Sequence, residues 1–232
     1  MTIFIDRNMN NLNELLELKF IGDDISPELI KAKDLAELIT AFEDSILRIV
    51  LNKNPELIEE NKIVGLVNIE KSSAKFRFKP SYPSIALSAF LALSNSITQN
   101  NYSKLPLKSV ESLVKISEFS KRHNCTAEFR SKINSPQPEA IITPSTLVEV
   151  PESLFITGET TIYGKIERVG GAKPKVMIRS EDNNLIICDI SEEMAQQLGH
   201  KLYKISGFVG SAKWRSDDYS FDSFNIETII EY

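Results

Sequence analysis

YGKIERVGGAKPKVMIRSEDNNLIICDISEEMAQQLGHKLYKISGFVGSAKWRSDDYSFDSFNIETII, residues 163–230, is the stretch whose reading decides the fold. It opens on a strand whose period of two places Ile162, Gly164, Ile166 and Arg168 on one face and Tyr163, Lys165, Glu167 and Val169 on the other. Gly170 and Gly171 turn the chain into a second strand, and a third follows. A helix around Glu192 to Leu202 comes next, with Ser191 as its N-cap and Glu192 and Glu193 in its first turn, where carboxylates suit the helix dipole. Two further strands complete the stretch. Gly164 in mid-strand predicts a sharp bend or a close backbone neighbour, and Gly207 and Gly210 predict the same for the fourth strand of this set.

Strand, strand, strand, helix, strand, strand is the order of the oligonucleotide/oligosaccharide-binding (OB) barrel. The order predicts binding rather than chemistry and names no ligand, since this barrel carries nucleic acid, sugar or protein. Upstream, Leu16, Leu18 and Phe20 alternate with Glu17 and Lys19 as a half-buried strand. Leu35, Leu38, Ile39, Phe42, Ile46, Ile49 and Val50 then recur at helical steps. A hairpin over 63–78 puts Phe76 and Phe78 on one face. Helices over 84–98 and 109–122 and a strand over 125–130 follow, with Pro83 suited to a first turn. Read together, these elements predict a ferredoxin-like α/β sandwich, and the whole chain an α+β protein. The expected division is an α+β domain over 1–135, a linker over 136–152 rich in proline, and a barrel over 153–232. Residues 140–142 are read as a short strand within that linker.

With 232 residues, 42% hydrophobic and 25% charged, the chain has an ordinary globular composition. No apolar run reaches the roughly 18 residues that span a bilayer, and the N-terminus does not read as a secretory signal, so a cytoplasmic protein without membrane contact is expected. Cys125 and Cys188 fall in different domains and read as buried, reduced thiols. Net charge is −5, and residues 151–232 hold 9 Lys+Arg against 13 Asp+Glu, hence −4. An acidic barrel argues against non-specific coating of DNA, because phosphate binding rests on Lys and Arg.

Lys165, Arg168, Lys173, Lys175 and Arg179 nonetheless form a basic run over the first barrel hairpin, a loop this fold uses for ligands. With Tyr163 and Trp214 as stacking platforms and Arg215 beside the latter, these eight residues are the candidate ligand-binding set. A solvated hairpin, with Glu167, Glu181 and Asp182 interspersed, accounts for the same charges, and core packing accounts for Trp214. His123 and His200 sit at helix ends, where capping suffices. Neither metal ligands at zinc spacing, nor a catalytic constellation, nor a phosphate loop can be read, so no cofactor and no catalytic residue is expected.

The stretch Gly164-Lys-Ile-Glu-Arg-Val-Gly-Gly-Ala-Lys-Pro-Lys-Val176, with Leu202-Tyr203 and Gly210-Ser-Ala-Lys-Trp214, resembles the C-terminal portion of a group of uncharacterised bacterial proteins. That resemblance implies an accessory role in mobile-element or phage-defence neighbourhoods, and it carries no activity or site residues. The expected function is therefore non-enzymatic binding of single-stranded nucleic acid by the barrel. The second reading is a protein-interaction or regulatory subunit of a toxin or defence complex, and the third an unrecognised hydrolase or nuclease.

Overall fold

The structure, a computed structural model, describes residues 15–23, 25–57, 64–70, 74–131 and 137–231. Among them are four α-helices and ten strands, in two antiparallel five-stranded sheets. The chain divides into two compact units, Met1–Pro151 and Glu152–Tyr232.

The first unit holds β1 (Leu16–Ile21), α1 (Ala32–Lys53), β2 (Val64–Glu70), β3 (Lys75–Pro80), α2 (Pro83–Thr98), α3 (Leu107–Arg122), β4 (Thr126–Arg130) and β5 (Ala140–Ile142), with sheet order β2-β3-β1-β4-β5. The helices form where apolar residues recur at three- and four-residue steps. α1 buries Leu38, Phe42, Ile46, Ile49 and Val50, and carries Asp34 in its first turn. α2 starts on Pro83, whose missing N–H would have been unpaired there anyway. Alternation in β1 and β3 sends Leu16, Leu18, Phe20, Phe76 and Phe78 into the same buried core. Phe42 meets Phe78 with centroids 4.5 Å apart, and Phe20 meets Phe119 at 4.9 Å.

The opposite face of this sheet carries charge. Glu17 on the central strand lies opposite Arg77 of β3 and Arg130 of β4. It accepts a 3.0 Å hydrogen bond from Arg77 Nε, and its side chain is 3% exposed. Glu70 takes Lys75 at 2.8 Å and also pairs with Arg77, while Glu128 takes Arg130 at 2.9 Å. Residues 140–142 extend the sheet from the edge of β4, and Ser117 Oγ donates to the Thr146 carbonyl at 2.8 Å, so the chain through Thr146 is tied to this unit. Lys71 to Ser73, the turn expected between β2 and β3, lies outside the described residues.

After a single 3-10 turn over Glu152–Leu154, the second unit holds β6 (Phe155–Gly170), β7 (Lys175–Ser180), β8 (Leu185–Asp189), α4 (Glu192–Gly199), β9 (Ile205–Arg215) and β10 (Phe221–Glu231), in sheet order β10-β9-β6-β7-β8. β6 is longer than its sequence reading because it serves two partners. Residues 155–165 pair with β9, and residues 164–170 pair with β7. The hand-over occurs at Gly164, where an added Cβ would lie 2.5 Å from Ile178 Cγ2 and 2.6 Å from the Arg179 carbonyl oxygen. At Gly210 an added Cβ would collide with the Asn225 carbonyl oxygen. Glycine at these crossings lets the sheet curl into a half-barrel around Ile166, Val176, Ile178, Cys188, Leu198, Phe208 and Ala212. β8 and β10, the two ends of the order, come close without a ladder between them.

Two sequence expectations change here. α4 begins as read, with Ser191 Oγ accepting from the Met194 N–H at 3.1 Å, but it ends at Gly199. Leu202 lies beyond it, and Tyr203 adopts a φ of 65° that no helix continues. In β6 the pairing with β7 shifts between Ile166 and Arg168, so one extra residue breaks the period of two. Val169 thereby packs against the core and Arg168 turns out to solvent, the reverse of their reading from alternation.

Candidate functional site

The eight candidate residues fall on two surfaces of the half-barrel. Tyr163 and Lys165 alternate with the inward Ile162, Gly164 and Ile166, so they face outward. Tyr163 lies opposite Gly207, and its Cε1 stands 2.8 Å from where a Cβ of that residue would be. The ring therefore fills the space that glycine leaves. Lys165 Nζ sits 5.8 Å from the centre of the Tyr203 ring, within reach of a cation–π attraction. Arg168 is exposed beyond the bulge. Lys173 is exposed in the turn, where Gly170 and Gly171 take φ of 115° and 117°.

The other two cations of the hairpin are engaged. Arg179 donates from Nε and Nη2 to the two Glu167 carboxylate oxygens, both at 3.0 Å, and from Nη1 to the Asn183 carbonyl at 3.2 Å. The Arg179 hydrogen bonds hold the Glu167 carboxyl below its ordinary pKa, and Glu167 in turn raises that of Arg179. Lys175 Nζ lies 3.2 Å from Asp189 Oδ1, an exposed pair across β7 and β8.

Trp214 is on the other surface. It keeps the inward parity of Phe208 and Ala212 along β9 and packs, partly buried, against their cluster. Its cross-strand partners are Ile156 and Phe221, the latter meeting it edge-on at 6.5 Å and 84°. Arg215 ends the strand and closes the β9–β10 loop through its backbone, donating to the Ser220 carbonyl and accepting from the Tyr219 N–H.

Trp214 thus belongs to a cleft of about 660 Å³ at the open mouth of the half-barrel, between the β7–β8 turn and the β9–β10 loop. Ile162, Leu185, Tyr219 and Phe221 line it together with Asp182. Leu185, Tyr219 and Phe221 are exposed, Tyr219 at 72%. The far end is closed by α4, whose Leu198 is fully buried. Sequence reasoning missed Tyr219 and Phe221. Their signal in the chain is the short polar loop Ser216 to Ser220 flanked by Trp214 and Phe221, which a hairpin brings into register.

Cys125 and Cys188 are free and buried, and burial pushes both thiols up to about 11, so they are neutral near pH 7. His123 ends α3 stacked on Phe119 at 4.3 Å, and His200 ends α4. Among the described residues no three His, Cys, Asp or Glu side chains converge as a metal site. No described helix is long and apolar enough to cross a membrane. Compared with known protein-family models, curated proteins and solved structures, the chain matches none.

Proposed function

We propose that this protein is a non-enzymatic binder that holds a protein partner in the mouth of an OB-type barrel, and that its first unit is a ferredoxin-like sandwich with an added edge strand. The order β10-β9-β6-β7-β8, with its helix between β8 and β9, supports the barrel. The order β2-β3-β1-β4, with helices after β1 and β3, supports the sandwich. The observation that carries the function is the separation of aromatic from cationic groups. Gripping a single strand requires stacking platforms and phosphate-neutralising charges side by side. Here Trp214, Tyr219 and Phe221 line the mouth, whereas Lys165, Arg168 and Lys173 face outward from the hairpin, and Lys175 and Arg179 are met by carboxylates.

The second reading, single-stranded nucleic acid on the outer hairpin, rests on Lys165, Arg168 and Lys173 with Tyr163 beside them. Salt separates the two, because phosphate contacts weaken steeply as ionic strength rises and buried aromatic contacts do not. Protein isolated from its native cells is expected to carry a protein companion that persists in high salt. Lys173→Glu with Lys175→Glu should leave that companion in place, and Tyr219→Ala should weaken it by roughly tenfold, the loss of one aromatic anchor. Nucleic acid that co-purifies and is lost with the lysine changes would overturn the proposal in favour of the second reading.

A further inference from the structure

The two tips that flank the mouth are acidic. Glu181 and Asp182 occupy the β7–β8 turn, and Asp217, Asp218 and Asp222 lie on or beside the β9–β10 loop, all exposed. Of the cations close by in sequence or pairing, Arg179 is matched by Glu167 at 3.0 Å and Lys213 by Glu152 at 2.9 Å. Much of the second unit's charge of −4 therefore gathers around the mouth, with Lys165 opposite Arg179 across the strands, while Arg168, Lys173, Lys175, Lys201 and Lys204 lie toward the end closed by α4. Between the tips the floor is apolar, with Trp214, Phe221 and Leu185, and it widens onto Ile156, which is 44% exposed.

An apolar floor between two anionic rims selects its occupant by charge. A phosphodiester chain would be repelled from both tips at once, and an acidic peptide likewise. An aliphatic or aromatic side chain flanked by Lys or Arg would gain burial against Trp214 and ion pairs on either side. We propose that the mouth receives a cationic protein segment that inserts one apolar side chain against Trp214 and lays basic residues over the tips. This deepens the reading of the mouth as the binding site and rests on it.

Selection of a random-peptide display library on the full-length protein tests the inference while the partner is still unidentified. Trp214 is the chain's only tryptophan, so its emission reports on the mouth directly when the enriched peptides are resynthesised without tryptophan. The expected result is enrichment of positively charged peptides bearing an apolar residue, which shift Trp214 emission to the blue. Asp182→Asn with Asp217→Asn should weaken them about tenfold while leaving the far-ultraviolet circular dichroism of the protein unchanged, as expected for lost charge pairs at exposed positions. Neutral or acidic peptides that still shift Trp214 emission would overturn the cationic partner and leave the mouth as the site. Peptides that bind without moving Trp214 emission, or a failure to enrich any, would overturn both. Sedimentation showing a concentration-dependent dimer that Asp182→Asn with Asp217→Asn dissolves would assign the mouth to a second copy instead.

Discussion

The first sheet and the second have five antiparallel strands each, yet one has a helix-packed face opposite a lattice of ion pairs while the other rolls around its own core. The difference lies in what stands at the strand crossings. In the first unit Phe20, Phe76, Phe78 and Phe129 fill the sheet's inner face, and rings of that size need a second layer to bury them. α1, α2 and α3 supply it. In the second unit Gly164 and Gly210 stand where a neighbouring strand's backbone approaches too closely for a side chain, and Gly207 leaves room for the Tyr163 ring and Ile230, so the sheet curls around a core of its own. Seven of the chain's nine glycines follow Pro151, and eight of its twelve phenylalanines precede it, which is why one length of chain builds a layer and the other a half-barrel.

The sharpest way to break this contrast is to give the curled sheet a side chain at a crossing. Gly210→Val drives a branched Cβ into the Asn225 carbonyl and should cost about 3 kcal/mol or more, as overpacking against backbone does. Denaturant unfolding followed by Trp214 fluorescence, which reads the second unit alone, is expected to show its transition lost or shifted far down. A midpoint unchanged from the parent would mean that glycine is not what permits the curl.

The matching change in the first unit removes a ring from the layer. Phe42 is fully buried against Phe78, Phe90 and Phe129, and Phe42→Ala should cost roughly 3–5 kcal/mol. The helical signal in the far ultraviolet reports it, since most helical residues lie in α1, α2 and α3.

A smaller effect sharpens the comparison through pH. Lys75 and Arg77 hold the Glu70 carboxyl below its ordinary 4.5, with the Lys75 hydrogen bond the chief cause, and Arg179 does the same for Glu167. Because the folded values are depressed, both contribute stability that is present above pH 4.5 and is lost as pH falls through the folded values. The thiols run the other way. Cys125 and Cys188 are raised from 9.0 to about 11, so their contribution is full below pH 9.0 and fades as pH climbs toward about 11. Stability is thus expected to decline at both ends of the pH scale, with Glu167→Gln flattening the acid limb of the Trp214-detected transition. An acid limb unaltered by that change would remove Glu167 from the account.

Much of the candidate site was legible one residue at a time and illegible as a set. Period two put Tyr163 and Lys165 together on one face, where no bulge intervenes, and it failed for Arg168 and Val169, because an inserted residue at Glu167 leaves no mark in composition. Trp214 was visible as a lone large aromatic. Its separation from Tyr163 was not, since the face each residue occupies depends on which strand closes against which. Glu17 shows the same limit. Its place in an alternating strand was plain, but its ion pair is with Arg77, which stands 60 positions away in the chain and reaches it only through strand pairing.

By itself the sequence determined the local elements and the kinds of sheet they build: the helical steps of Leu38 to Val50, the Ser191 cap, the bulky inner faces of β1 and β3, and the glycines that permit a curl. These depend on residues a few positions apart, where periodicity and backbone freedom act directly. Only the tertiary structure decided that Arg179 would be spent on Glu167, that Trp214, Tyr219 and Phe221 would share a cleft, and that acidic tips would frame it. Those outcomes follow from strand register and from the angle through which the sheet turns. Both are properties of many weak contacts summed across the unit, and no short stretch of chain encodes them alone.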